Sequence, residues 1–330
     1  MPAAKVDSQH LRHPMTHLVH HGIDARDSTF THASRDIIQN IYFNVPVASA
    51  SSSSQLEAAQ PPSFNDAPID LISSYFTGRN DDLDHVTKLL GMTYGDTPTR
   101  CAVYAMQGMG KTQLGLQYTK LSYNCQRYSV IFWISGATVG KLNQGFAGVL
   151  ALIGHPDRDH QNQNTRLMAV RRWFEECRIK WLLVLDNVAQ EAVSFLREHL
   201  PRRNSNGNIL LTTRTEAVAE AAARVAGQQH AIFELRTLGL NDATSLLLRE
   251  AGMHTEVPSA GTGEANDLVK CLGSLPLAIS HAASFAKQSG KNLSDVLGIY
   301  RGKHKYDVSN CNPSNVVSSR SLRPVNIKVD

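Results

Sequence analysis

Five short β-rich runs separated by helical periodicity leave this chain few ways to fold. The runs are Arg100–Met106, Ser129–Ile134, Trp181–Asp186, Asn208–Thr213 and Ala231–Leu235. Between them apolar residues recur every three or four positions: Leu114, Tyr118 and Leu121; Leu142, Phe146, Val149, Leu150 and Ile153; Leu167, Val170, Phe174 and Cys177. That spacing gives each helix one apolar stripe, and strands joined by such crossovers run parallel. A parallel sheet is covered on both faces, which explains strands that are apolar throughout. The expectation is a three-layer α/β domain around a parallel five-stranded sheet, over about residues 67–237.

Beyond it the strands stop. Asn241–Gly252, Glu264–Leu272, Pro276–Gly290 and Asn292–Tyr300 read as helices of a small all-α domain over residues 238–301. Asn241 and Asn292 suit N-caps, and Pro276 suits a first helical turn after Gly273–Ser274. Residues 1–66 are polar, hold six of the fourteen histidines and include the run ASASSSSQLEAAQPPS. They read as a mostly disordered leader and linker, with an apolar patch at Ile37–Val45. His17, His20 and His21 would share a face only if helical, and without a packed scaffold no structural metal site is expected there. Residues 302–330 lack periodicity and read as a disordered basic tail.

Charge excludes one class of partner. The net charge is +4, and residues 301–330 carry six Lys and Arg against Asp307 and Asp330, so the other 300 residues are neutral. No basic face for nucleic acid is expected in the body. No apolar run reaches the length of a membrane span, and the N-terminus has no apolar segment of a secretory signal. A cytoplasmic address follows by default, with no membrane partner. The five cysteines include no CxxC pair, which argues against a disulfide framework or zinc knuckle.

The chemistry sits after the first of the five runs, at Ala105-Met106-Gln107-Gly108-Met109-Gly110-Lys111-Thr112. An [A/G]xxxxGK[T/S] turn between strand and helix is a P-loop. Gly108 and Gly110 let the backbone N–H groups face phosphates, Lys111 reaches the terminal phosphates, and Thr112 offers a hydroxyl to Mg²⁺. A glycine-rich turn that only packs a helix on a sheet is the plainer alternative, and its flanks speak against it. Trp181–Asp186 supplies five apolar residues and a terminal acid, the Walker B pattern, so Asp186 is expected to hold Mg²⁺. Hydrolytic enzymes often place a second carboxylate next, but this chain has Asn187, which takes no proton at neutral pH. Arg214, one residue past a strand, either contacts a γ-phosphate or is simply solvated.

In order, FTGR (Phe76–Arg79), the P-loop, FWIS (Phe132–Ser135), LLVLDN (Leu182–Asn187), LLTTR (Leu210–Arg214) and GSLPLAI (Gly273–Ile279) resemble the NB-ARC module over about residues 67–300. This module is the nucleotide switch of STAND P-loop NTPases in apoptosome scaffolds, plant resistance proteins and fungal NLR-like receptors, and NDAPIDLISSYFTGR is most like fungal members. The resemblance implies bound ADP or ATP with Mg²⁺. It implies that Phe76, Thr77, Gly78 and Arg79 line the adenine and that Pro276 packs against the base. It assigns the phosphates to Gly108, Gly110, Lys111 and Thr112, and counts Gln107, Met109 and Gln113 among the other cofactor-binding residues. Asp186 becomes the Walker B acid, with Thr112 on the metal, and Arg214 the γ-phosphate sensor.

Ala105 and Gln107 replace glycines usual in the family, and Gln107 is expected to crowd the backbone there. The winged helix and MHD-type histidine expected after the helical domain do not follow, so a form shortened after the first helical subdomain is expected. Three functions remain: an ADP/ATP-dependent signalling switch with slow hydrolysis, an ATPase of ordinary turnover, and a signalling-incompetent nucleotide-binding fragment or decoy. Self-association or pairing with full-length NLR-like relatives fits the first and the last.

Overall fold

The computed structural model describes residues 62–225, 227–253 and 260–309. The histidine-rich leader, the patch at Ile37–Val45 and residues 310–330 lie outside them. The strands are β1 (Phe64–Asn65), β2 (Thr99–Tyr104), β3 (Val130–Ser135), β4 (Trp181–Val188), β5 (Gly207–Thr213) and β6 (Ala231–Glu234). All pair in parallel, in the order β1-β3-β4-β5-β2-β6. The sheet therefore has six strands rather than five. The extra one is Phe64–Asn65, inside the span expected to be leader, where Phe64 pairs with Val130 and its ring meets Phe132 edge-on at 5.2 Å. Two residues are too few to carry a periodic signal, so partner geometry rather than pattern makes this strand.

The helices between the strands are α1 (Asn80–Leu90), α2 (Lys111–Asn124), α3 (Val139–Leu152), α4 (Gln163–Glu176), α5 (Ala192–His199) and α6 (Glu216–Ala223). They cover both faces of the sheet. Phe132 and Ile134 of β3 and Leu183 and Leu185 of β4 point into one core with α3, α4, α5 and α6. Their neighbours Ile131, Trp133, Leu182 and Val184 point into a second core with α1 and α2. Alternation across a doubly covered sheet explains why nearly every central-strand residue is apolar. A short antiparallel ladder, Arg224–Val225 with Gln228–Gln229, precedes β6.

After β6, among the described residues, come four helices: α7 (Leu240–Glu250), α8 (Ala260–Cys271), α9 (Pro276–Ser289) and α10 (Leu293–Ser309). Leu247, Leu268, Ile279, Ala283 and Val296 are buried in their own core. α7 starts one residue before the expected cap: Gly239 holds the N-cap position, and Asn241 is inside the helix. Asn292 does cap, its side-chain oxygen accepting from the Asp295 N–H at 2.8 Å. Pro276 opens α9 after Gly273 (φ +63°) and Ser274 (φ +53°), whose left-handed backbone ends the preceding helix. α10 continues to Ser309, past the expected end at 301. Among the described residues no helix is long and apolar enough to cross a membrane.

Candidate functional site

A cleft of about 490 Å³ opens at the C-terminal ends of the parallel strands, where α/β sheets commonly hold ligands. Its floor is the turn joining β2 to α2. Gly108 (φ +85°) and Gly110 (φ +90°) take left-handed backbone there, and Gly110 is the N-cap of α2. Side chains with a Cβ adopt that region at a cost, so the turn requires glycine at these two points. Ala105 is accommodated with its side chain buried, as its N–H bonds the Thr213 carbonyl. Gln107 lies exposed, outside the left-handed region, and lines the cleft.

Lys111 curls back over the turn. Its Nζ donates to the carbonyls of Ala105 at 2.7 Å and Met106 at 2.9 Å. No carboxylate among the described residues hydrogen-bonds it. Burial and the nearby Arg214 charge push its pKa down, against the opposing pull of Asp186. A desolvated ammonium beside a guanidinium is a site short of negative charge, which suits an anionic ligand.

Asp186 is aimed by a defect in β4. Leu185 pairs with Leu211 and Val188 with Thr213, so Asp186 and Asn187 together face Thr212. A bulge of this kind re-aims a side chain. Asn187 takes φ +57°, a conformation that Asn tolerates better than most residues. Its N–H donates to the Thr212 hydroxyl at 2.8 Å, which donates to Asp186 Oδ1 at 2.6 Å. Thr112 donates to the same carboxylate, 3.0 Å from Oδ1 and 3.1 Å from Oδ2. Burial raises the Asp186 pKa in spite of the Thr212 and Thr112 bonds and the Lys111 charge.

Thr112 and Asp186 are thus in contact, and they fit the expected Mg²⁺ position. Mg²⁺ is commonly held by one carboxylate, a hydroxyl and ligand oxygens rather than by an all-protein cage. Among the described residues no group of three or more His, Cys, Asp or Glu gathers as a metal site.

The other wall comes from Phe76–Arg79 and the helical part. Phe76, Thr77, Arg79 and Pro276 line the cleft, with Met109, Gln113 and Arg214. Gly78 stands back from it. A Cβ there would lie 2.7 Å from Asp242 Cγ, so this glycine (φ +63°) lets the turn pack under α7. Arg79 also does more than line the site: it donates to Asp82 at 2.9 Å, to the Arg236 carbonyl at 2.7 Å and to the Met109 carbonyl at 2.9 Å. It ties the P-loop to the segment entering the helical part. Gln113 similarly bonds the Ser73 N–H and the Leu71 carbonyl, fixing residues 71–73 to α2.

Ser73, Tyr75, Asn187, Thr212, Leu238, Leu246, Leu277 and Ser280 complete the lining. Thr212 was visible inside the LLTTR run. Leu277 likewise sits inside the GSLPLAI run, but Leu238, Leu246 and Ser280 lie in no run that the sequence singles out, and only the docking of the helical part on the P-loop brings them to the cleft.

Residues 79–257 match the NB-ARC domain. A nucleotide-binding leucine-rich repeat (NLR)-like protein of the fungus Hyaloscypha variabilis is 26% identical over 243 residues, covering 69% of this chain. The chain spans only 24% of that relative's length. In the solved structure of Drosophila ORC bound to DNA, one chain is 10% identical with a TM-score of 0.51, covering 84% of this chain and 77% of that one. That likeness is one of fold. The STAND protein PH0952 of Pyrococcus horikoshii, which carries a tetratricopeptide repeat sensor, is 17% identical with a TM-score of 0.39, covering 63% of this chain and 29% of that one. With the matched span taking in the P-loop, the bulged acid strand and the first of the C-terminal helices, more than half of its length, this chain belongs to the NB-ARC domain family.

Proposed function

We propose that the protein binds ADP or ATP with Mg²⁺ in this cleft and acts as a nucleotide-dependent signalling switch, with slow or negligible hydrolysis. One observation carries the reading. The cleft presents the binding half of the machinery, Lys111 and the Thr112–Asp186 pair, without a second carboxylate beside Asp186. Asn187 occupies that position, and its backbone is committed to the bulge that aims Asp186. An amide cannot act as the general base for an attacking water at neutral pH. Mg²⁺ would supply charge neutralisation at the phosphates, and Thr112 and Asp186 would hold it.

Arg214, exposed at the end of β5 and close enough to depress the Lys111 pKa, is the candidate reader of the terminal phosphate. Arg79 and Gln113 act as braces for the site. Self-association, or pairing with longer NLR-like relatives, belongs to the same proposal, as does a cytoplasmic location. DNA does not: the charge surplus lies in residues 301–330, and the body of the chain is neutral.

Steady-state phosphate release tests the reading against an ordinary ATPase. The switch reading expects a rate well below the roughly 1–100 s⁻¹ of efficient phosphotransferases. A rate inside that range overturns it.

A further inference from the structure

A second cleft, of about 530 Å³, opens at the end of the sheet opposite the P-loop. Its lining comes from the connections that enter β2, β3, β4 and β5, among them Thr93, Arg127, Lys180, Ser205 and Asn206. The P-loop leads into α2 and Arg127 follows the end of that helix, so the two clefts stand about 20 Å apart along it. No residue lines both.

Strand register sets the neighbours. Val130 pairs with Trp181, and Trp181 with Gly207, so Lys180 lies between the residues that lead into β3 and β5. The Trp181 N–H bonds the Asn206 carbonyl at 3.3 Å, and the Ser129 N–H bonds the Lys180 carbonyl at 2.8 Å. Adjacent strands lie about 4.8 Å apart, which brings Arg127, Lys180 and Ser205 to one rim.

Arg127 and Lys180 are the only charged residues of the lining; Asp96, on the connection from α1 to β2, is not part of it. Cations here could simply serve the carbonyl ends of α1 and α2. The rim carbonyls are instead taken by neutral donors. Asn208 Nδ2 donates to Leu90 at 2.5 Å, the Thr99 hydroxyl to Met92 at 2.6 Å and the Thr97 hydroxyl to Tyr94 at 2.6 Å. Arg127 makes one long bond, 3.5 Å to the Thr87 carbonyl. Lys180 has no ion pair or side-chain hydrogen bond among the described residues, and neither Thr93, Ser205 nor Asn206 has a side-chain hydrogen bond among them.

We infer that this cleft binds a small, hydroxyl-bearing organic phosphomonoester, with its phosphate between Arg127 and Lys180. Two unspent cations match the two charges of a phosphomonoester, and the guanidinium fork takes two of its oxygens. A monocarboxylate would leave one cation unmatched. Thr93, Ser205 and Asn206 are the polar groups that the organic part meets, and the volume is that of a small-molecule site.

The ³¹P resonance of glucose 6-phosphate, titrated with the full chain in saturating ADP–Mg²⁺ at constant ionic strength, tests this. Inorganic phosphate is titrated in parallel. The expected result is saturable broadening with a dissociation constant of about 1 mM or tighter, and weaker binding of inorganic phosphate. Lys180→Gln and Arg127→Gln should each weaken the sugar phosphate about tenfold, the effect of one charge-assisted bond. Lys180 is exposed, so its variant keeps the test decisive should Arg127→Gln fail to fold. Absence of saturable broadening, or inorganic phosphate bound as tightly as the sugar phosphate, overturns the proposal. So does broadening that Lys180→Gln leaves unchanged and Lys111→Ala abolishes, which would put the phosphate on the P-loop.

Discussion

The main-chain N–H of Leu277 donates to the carbonyl of Gly108 at 3.2 Å, so the first turn of α9 is bonded directly to the P-loop. The contact is close: a Cβ on Gly108 would lie 3.0 Å from Leu277 Cβ. The P-loop and the first turn of α9 are therefore joined directly, and Arg79 adds a second tie through Met109.

Gly108→Ala should injure both parts at once. The new side chain meets a backbone at φ +85° and the Leu277 side chain together. The expected cost is about 1–3 kcal/mol of stability, and nucleotide affinity should fall as well. Thermal melts with and without ADP check this; an unchanged melting point in both conditions would mean the loop and helix are not coupled.

Arg79→Ala removes three hydrogen bonds from a side chain that is 6% exposed. Two of them hold separate segments together, so the expected loss is about 2 kcal/mol. The denaturation midpoint should fall without a change in cooperativity. A variant as stable as the native chain would reduce Arg79 to a lining residue.

Much of this was legible before any coordinates. Lys111, Thr112 and Asp186 announce themselves because phosphate and metal chemistry restrict residue type and spacing tightly, whereas Pro276 enters only through the family resemblance. Strand and helix order followed from long apolar patterns. What was hidden depends on three-dimensional docking. Phe64–Asn65 is too short for a pattern, and Gly78 serves the packing of Asp242 rather than the cleft. Ser280 becomes a lining residue only through where α9 sits. Asn187 was readable as a missing base, but its role in the bulge is visible only in the register of β4 against β5.

Asn187→Asp follows from that register. Asp also tolerates left-handed backbone, so the bulge and Asp186 should keep their places. A carboxylate beside Asp186 should raise phosphate release by about tenfold or more, short of the 10²–10⁴ of an evolved base. No increase, with binding retained, would mean that hydrolysis is limited elsewhere.

Acid should weaken the fold through His230. This residue is buried, stacks on Tyr94 with centroids 4.1 Å apart, and accepts the Arg100 N–H through Nδ1 at 3.1 Å. Burial, with the Arg100 charge beside it, pushes its pKa down to about 4 from 6.5. The unfolded chain therefore binds the proton first. Stability present above pH 6.5 is lost as pH falls toward 4, by about 3 kcal/mol from this group. His230→Asn keeps an acceptor for Arg100 and does not titrate, so its urea-unfolding free energy should vary less with pH over this window. Parallel pH profiles for both proteins would remove His230 from the account.

The central claim is that Lys111 is an ammonium held ready for phosphate. It bonds two loop carbonyls and no carboxylate among the described residues, so its removal should spare the fold and cost the ligand. Calorimetric titration of ADP–Mg²⁺ into native protein and Lys111→Ala measures this directly. The expected result is micromolar or tighter native binding, weakened roughly 100-fold in the variant by the loss of charge-assisted bonds, with an unchanged melting point for the ligand-free protein. Equal affinity in the two folded proteins would contradict the assignment of this loop as a phosphate site.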